Sequence, residues 1–367
     1  MIPETMSAVL LTGHGGLDKL EYSDDVPVRL PKSDEVLIQI GAAGVNNTDI
    51  NTRIGWYSKA IVSDTNIGGA EGFQKVDEED ATWTGEAMSL PRIQGADICG
   101  EIIATGNGVD KSRVGERVLV QTMQPQENLL PFTCATVGSE FDGGFAQYAV
   151  SASKHTYKVN SNWSDVDLAS IPCAYSTAEN MLHRASVGAE RVLITGASGG
   201  VGSAAIQLAK RRGATVIALA SSSKFNEVLS IGADKVIDRN SDLLAELGED
   251  SIDVIVDLVA GAQWPTFLKV LCRGGRYAVA GAIAGPIVEL DIRTLYLKDL
   301  TFFGCTYQEP QIFQNVISYI ESGEIKPLVA KTYALKDIKI AQQDFLAKKY
   351  TGKLVLIPPS SSVISVR

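Results

Sequence analysis

Short apolar runs broken by glycine fill the first 160 residues. Ser7 to Leu11 is an apolar run ended by Gly13, Gly15 and Gly16. From Glu35 to Ile40 the residues Val36, Ile38 and Ile40 alternate with Glu35, Leu37 and Gln39, a period of two that predicts a strand. Val114 to Val120 predicts a turn feeding a strand, and Gly143 to Val150 repeats that form. Many short strands punctuated by glycine predict a β-rich, barrel-like unit.

The pattern changes near residue 170. Ser176–Ala185 predicts a helix, Arg191–Thr195 a buried strand, and Gly202–Arg212 a helix with Ala205, Ile206, Leu208 and Ala209 on its apolar face. Predicted next are strand Thr215–Ala220, helix Lys224–Ile231, strand Lys235–Ile237, strand Asp253–Leu258, helix Gln263–Leu271 and strand Arg276–Ala280. Strands alternating with helices predict an α/β unit whose parallel sheet is covered on both faces. A helix over Gln311–Ser322 and strands over Thr332–Leu335 and Lys353–Ile357 close the chain, with Pro358–Arg367 expected to fray. Residues 56–91 lack periodicity and carry an acidic cluster at Asp77, Glu78, Glu79 and Asp80. A loop this long is either a solvated excursion or a flap over a cleft.

The chain has 367 residues, the size of two domains. Its formal charge of −10 disfavours nucleic acid and anionic membranes as partners. Five widely spaced cysteines with no CxxC argue against a disulfide framework and for a reducing compartment. No apolar run is long enough to span a bilayer, and Met1–Met6 lacks the features of a secretory signal; a cytoplasmic location is expected.

The strongest chemical signal runs from Val192 to Ser203. A strand enters a glycine turn and a helix leaves it, with Ala197, Gly199 and Gly202 at the G-x-G-x-x-G spacing. Ala197, Ser198, Gly199, Gly200, Val201 and Gly202 are the expected dinucleotide cradle. Gly199 lets the backbone approach a diphosphate, and the helix N-terminus offers it free N–H groups. An NAD site places a carboxylate about 20 residues on. Here Ser221, Ser222 and Lys224 stand instead, with Arg239 ending the next strand. Hydroxyls and cations suit a 2′-phosphate, so NADP(H) is the expected cofactor; the alternative is that Lys224 and Arg239 are surface charges.

Several motifs together resemble the medium-chain dehydrogenase/reductase superfamily. They are Gly44-Val45-Asn46-Asn47-Thr48-Asp49, Gln94-Gly95-Ala96-Asp97, Gly115-Glu116-Arg117-Val118, Pro172-Cys173-Ala174, Gly199-Gly200-Val201-Gly202 and Gly352-Lys353-Leu354-Val355. The resemblance covers about Ser7 to Ile357. It implies an α/β fold: a GroES-like β-rich catalytic domain (1–171 and 309–367, with 56–91 inserted) and a Rossmann cofactor domain (172–308). It also implies cofactor contacts at Thr177, Val259, Gly281, Cys305 and Lys353. A homodimer is implied through Leu290–Tyr307, where Leu295, Tyr296, Leu297, Phe302 and Phe303 are apolar; an internal strand plus core is the alternative.

Zinc members of this superfamily carry a Cys where this chain has Asn46, and His-Glu where it has Ala96-Asp97. Only Cys173 matches, so no catalytic metal is expected, since zinc needs three protein ligands. Cys173 then reads as a small buried apolar residue. The pattern resembles the zinc-free, NADPH-using quinone oxidoreductase (zeta-crystallin-like) branch. It departs at Asn51, where several members have Tyr, and in the length of 56–91. Without a Lewis acid, hydride goes most readily to an electrophilic carbon, such as that of an enone or quinone. Asn46 is the expected donor to the developing oxyanion, or else a turn residue. Thr48 matches the hydroxyl of a proton relay, or else caps a helix. Tyr57 and Tyr175 are candidate proton donors, or else packing aromatics. Competing functions are an alcohol or aldehyde oxidoreductase and a non-catalytic NADPH-binding protein.

Overall fold

Every strand between residues 191 and 304 lies parallel to its neighbours in one six-stranded sheet. The computed structural model describes residues 2–126 and 129–360. The sheet order is Lys235–Asp238, Thr215–Ala220, Arg191–Ile194, Ile252–Asp257, Leu271–Val279, Thr301–Gly304. Numbered along the chain this is 3-2-1-4-5-6, the doubly wound order of a dinucleotide fold. Alternate residues feed different cores. Val192, Ile194, Val216 and Val254 pack with Ala178, Met181 and Ala205 of the helices Pro172–Arg184 and Gly200–Arg211. Leu193, Ile217 and Ile255 pack with Trp264 and Phe267 on the other face. With both faces covered, these strands read as continuous apolar runs.

The helix predicted from Ser176 begins at Pro172. Proline at the first helical position loses no hydrogen bond and presets φ, so it starts the helix. Helix Pro310–Glu321 packs on this one, where fully buried Glu179 accepts from Arg212, Asn315 and Tyr319.

The first unit has a sheet of three strands and one of seven. Glu35–Val45 is central to the larger sheet and pairs with Cys99–Thr105, Tyr148–Ala152 and Lys353–Ile357. It runs five residues beyond the predicted end, and Leu37 is as buried as its alternating neighbours. Flanking strands and a covering layer on each side leave little of it in water. The register Leu354↔Val45 and Val355↔Gly44 has a consequence for the site: it brings Lys353 beside Asn46.

Residues 56–91 form turns and one short helix, Thr65–Gly68. The excursion is tied down at several points. Trp56 Nε1 donates to Ser63 O at 3.0 Å, Lys59 N to Asp80 Oδ2 at 2.9 Å, and Thr65 N to Ile283 O at 3.1 Å. Arg53, with no exposed surface, donates to Gly15 O, Gly69 O and Gln342 Oε1. Asp77, Glu78 and Glu79 face solvent.

Thr301–Gly304 is an edge strand. Leu295 and Phe302 pack on the core around Trp264, and Phe303 on the opposite core, whereas Tyr296 and Leu297 are exposed. Of the tail expected to fray, residues 361–367 lie outside the described residues. Among the described residues no helix is long and apolar enough to cross a membrane.

Candidate active site

The glycine turn sits where the parallel sheet changes direction, between Arg191–Ile194 and Ile252–Asp257. Ligands of such sheets bind in the crevice at this switch point. The backbone requirements are local. A Cβ on Gly202 would lie 2.3 Å from the Gly196 carbonyl oxygen and 2.7 Å from Ala197 Cα, so only glycine lets the helix approach the strand. Gly196 has φ of +58°. Gly199 is exposed and holds the N-cap position without a side-chain cap. The first-turn N–H groups of Gly200, Val201 and Gly202 therefore face outward without intrahelical partners, as an anion requires. Ser198 is half-buried and Ala197 buried, its N–H donating to Leu219 O. This cradle fits a dinucleotide diphosphate.

Asp257 shapes the far wall. It is fully buried and accepts from Thr195 Oγ1 at 2.6 Å, Val259 N at 2.9 Å, Ala260 N and Tyr277 OH. These bonds hold Val259 against Gly196. Gly281 lies beside Leu258, where a Cβ would come within 2.9 Å of its carbonyl oxygen. Cys305 is buried, with its N–H on Val279 O. Burial raises its thiol pKa to about 11, with Arg184 opposing.

At the other end Ser221 and Ser223 share a hydrogen bond, and Ser222 N donates to Asp238 Oδ2. Lys224 Nζ donates to Tyr350 O at 2.7 Å. Partial burial pulls this ammonium below the usual lysine range; Glu227 opposes and Arg239 adds repulsion. Lys348, from the returning end of the chain, also lies close enough to Lys224 for the two charges to interact. Three cations thus converge here, and sequence reasoning found only Lys224 and Arg239. A lysine in an irregular segment 124 residues away carries no local signal.

The residues expected from the sequence at the reacting end, Asn46 and Thr48, open the helix Asn47–Ile54. Asn46 is its N-cap, so Thr48 sits inside the helix and does not cap it. The Asp49 carboxylate accepts from Asn46 N at 2.7 Å and Ala96 N at 3.2 Å. Burial pushes Asp49 up to about 7; the two backbone bonds and Lys353 oppose this, and Asp97 adds to it. Thr48 Oγ1 accepts from Tyr57 OH at 3.0 Å. The Tyr57 ring stacks edge-on to Trp83 at 4.7 Å, which places part of the 56–91 excursion at the site. Tyr175 is buried elsewhere, its OH donating to Lys326 O.

Helix Pro172–Arg184 is buried at most positions but half-exposed at Cys173 and Thr177, one turn apart on the same face. Cys173 is thus less enclosed than the sequence suggested. Its thiol pKa is raised, first by desolvation and then by Asp97. Asp97, with no exposed surface, accepts from Cys173 N at 2.6 Å, Asn46 Nδ2 at 2.8 Å and Lys353 Nζ at 2.8 Å. Gly44 makes room for it, since a Cβ there would lie 2.3 Å from Asp97 Oδ2. Lys353 also donates to Asn46 Oδ1.

Asn46, Cys173 and the Ala96-Asp97 pair, which stand where the metal-dependent members have Cys, Cys and His-Glu, do come together. The donor set does not fit zinc. Asp97 is already engaged by Lys353, and an ammonium repels a dication. Among the described residues no three His, Cys, Asp or Glu side chains gather as a metal site.

Comparison with known proteins agrees with this architecture. Residues 32–161 match the alcohol dehydrogenase GroES-like domain and residues 200–322 the zinc-binding dehydrogenase domain. The chain is 30% identical to the quinone oxidoreductase of Lama guanicoe, covering 96% of this chain and 97% of that one. It is 28% identical to the acryloyl-coenzyme A reductase of Metallosphaera sedula, covering 96% and 99%. A solved structure from Sinorhizobium meliloti 1021, assigned as an alcohol dehydrogenase, superposes with a TM-score of 0.86 at 43% identity, covering 98% of each chain. The chain belongs to the medium-chain dehydrogenase/reductase superfamily, in its quinone oxidoreductase-like branch.

Proposed function

We propose that this protein is a metal-independent, NADPH-dependent reductase of activated carbon–carbon double bonds or quinones. One observation carries the reading: at the zinc position of the metal-dependent members this chain builds a buried Lys353–Asp97–Asn46 network. Such a site has no electron-pair acceptor to activate a simple alcohol or ketone. A bound nicotinamide supplies a hydride there. The chain's own residues hold and orient. Gly199 to Gly202 bind the diphosphate, and Val259, Gly281 and Cys305 line the path of the nicotinamide half. Thr48, Tyr57 and Thr177 border the reacting end.

NADPH over NADH is favoured by Ser221, Ser222, Lys224, Lys348 and Arg239. Asp238, a carboxylate that follows Ser221 and Ser222 on the next strand, has both its oxygens engaged by backbone N–H groups of Ser222 and Asn240. A homodimer through the Thr301–Gly304 edge is part of the proposal, supported by exposed Ile292, Tyr296 and Leu297 beside it.

The test is NADPH oxidation by chelator-treated protein with small enones, ortho- and para-quinones and simple aldehydes, with NADH as a parallel donor. Turnover of enones or quinones with NADPH is the expected result. Turnover confined to aldehydes and dependent on restored zinc would overturn it and favour the alcohol dehydrogenase reading that the Sinorhizobium relative suggests. Tight NADPH binding with no turnover would favour a binding protein.

A further inference from the structure

Lys353 is 4% exposed, unusual for a lysine. Two constraints put it there. Gly352 N donates to Ser198 O at 3.0 Å, which stitches the start of strand Lys353–Ile357 to the glycine turn. The pairing Leu354↔Val45 then aims the preceding residue at Asn46. The aliphatic stem passes beneath the first turn of the helix, where a Cβ on Gly200 would lie 2.8 Å from Lys353 Cδ.

The polarity of the network is forced. An ammonium only donates and an ionised carboxylate only accepts. Asn46 therefore turns Oδ1 to Lys353 and its NH2 to Asp97 Oδ2 at 2.8 Å, with Gly44 O at 3.4 Å behind. This consumes the amide. Asn46 has no N–H left for a ligand. Lys353 has three N–H bonds and spends two, on Asn46 and Asp97. The third, fixed by tetrahedral geometry, points away from both. The half-exposed Cys173 is near enough to feel the charge.

We propose that Lys353 is a catalytic residue at the reacting end, donating this third N–H to the carbonyl oxygen of an α,β-unsaturated carbonyl substrate. The inference rests on the reductase reading above. In the step, the substrate's β-carbon gains the hydride and the electron pair of its C=C bond moves toward the carbonyl oxygen, giving an enolate. Lys353 stabilises that oxyanion and keeps its own proton. Water returns a proton to the α-carbon, and the C=C bond is reduced. A positioned cationic donor is worth most where charge develops and water is excluded. Asp97 and Asn46 are positioning residues that hold the ammonium. The competing role is a salt bridge from this same third N–H to the cofactor diphosphate, since the stem of Lys353 runs beneath Gly200; the measurements below separate the two.

Two variants test this: Lys353→Met and the double variant Lys353→Met with Asp97→Asn, which leaves no unpaired buried charge should the single variant fail to fold. Three quantities are measured: NADPH Kd by nicotinamide fluorescence, kcat on a short enone, and binding of 4-nitrophenolate against nitrobenzene to the protein–NADP+ complex. The expected result is an NADPH Kd within about threefold of wild type and kcat reduced about a hundredfold or more, the usual effect of losing one oxyanion donor. Wild type should prefer the phenolate, and both variants should lose that preference while nitrobenzene binding is unchanged. An NADPH Kd raised tenfold or more with the phenolate preference kept would overturn the proposal in favour of the diphosphate. A wild-type protein with no preference for the phenolate overturns it as well. The phenolate measurement does not depend on turnover, so failure of the reductase reading and failure of Lys353 are separable.

Discussion

Two glycines three residues apart should fail in opposite ways. Gly202 and Gly199 both belong to the turn, but their surroundings differ. A methyl group on Gly202 would lie 2.3 Å from the Gly196 carbonyl oxygen and 2.7 Å from Ala197 Cα. Both are backbone atoms and cannot rotate aside, so the helix Gly200–Arg211 must move by about 1 Å to reach an ordinary contact distance. That helix is buried at Ala204, Ala205, Ile206, Leu208 and Ala209, so the shift disturbs packing along its length. Overpacking of this kind costs about 1–3 kcal/mol. At Gly199 the added Cβ meets only Gly196 O, at 3.3 Å, and φ is −79°. Alanine is a poorer N-cap than glycine, but it also restricts the unfolded chain, so the net change should stay within about 1 kcal/mol. Its methyl group would instead stand where the diphosphate approaches the exposed N–H groups. Gly202→Ala should therefore lower Tm by several degrees, and Gly199→Ala should hold Tm but raise NADPH Kd by about tenfold or more, equal to about 1.4 kcal/mol. Differential scanning calorimetry and nicotinamide fluorescence read the two quantities. Wild-type NADPH affinity in Gly199→Ala would refute the cradle; an unchanged Tm in Gly202→Ala would refute the close helix–strand approach.

Further predictions concern buried and clustered charges. Arg53→Met leaves the carbonyls of Gly15 and Gly69 and the amide of Gln342 without their donor, and should cost about 2–4 kcal/mol, measured by urea unfolding; an unaltered midpoint would refute it. Asp49 titrates near 7 when folded, against about 4 when unfolded, so the folded state keeps a proton that the unfolded state has lost. Stability should therefore fall as pH rises from about 4 to about 7, by up to about 1.4 kcal/mol per unit, and Asp49→Asn should flatten that slope. Lys224→Ala and Lys348→Ala should each raise the Kd for NADPH about tenfold while leaving that for NADH within about twofold; equal effects on both cofactors would remove the 2′-phosphate reading.

What was legible in the sequence divides by the distance over which its cause acts. The parallel sheet was legible because its central strands, Arg191–Ile194, Thr215–Ala220 and Ile252–Asp257, are apolar on both faces and each is followed by its own helix. Boundaries moved by a few residues, as at Pro172, where the N1 proline was the available signal. The glycine turn was legible because its constraints lie within seven residues: Gly196 and Ala197 are what exclude a side chain at Gly202. The aperiodic stretch 56–91 was recognised as irregular. A flap over a cleft and a role for Tyr57 are both open from the sequence; the packing of Trp83 on Tyr57 is not legible there, because edge-on ring contacts leave no spacing rule.

The reacting end shows why local reading stops short. Asn46 bonds to a partner 51 residues away, and Lys353 to partners 256 and 307 residues away. By strand pattern alone Lys353 is the polar first residue of a strand, and only the family resemblance gives it a place at the cofactor. The strand register and the Gly352–Ser198 bond turn it inward, and burial is tolerated because Asp97 supplies the opposite charge and Asn46 an acceptor. The same register inverts the expected role of Asn46. An amide facing a cleft alone would be the oxyanion donor; an amide between an ammonium and a carboxylate has its donors spent. Local sequence names Asn46 but not the partners that engage its amide, because hydrogen-bond polarity in a buried network is fixed by all its members together. An oxyanion bound at this site would accordingly meet the charge of Lys353 rather than the amide of Asn46.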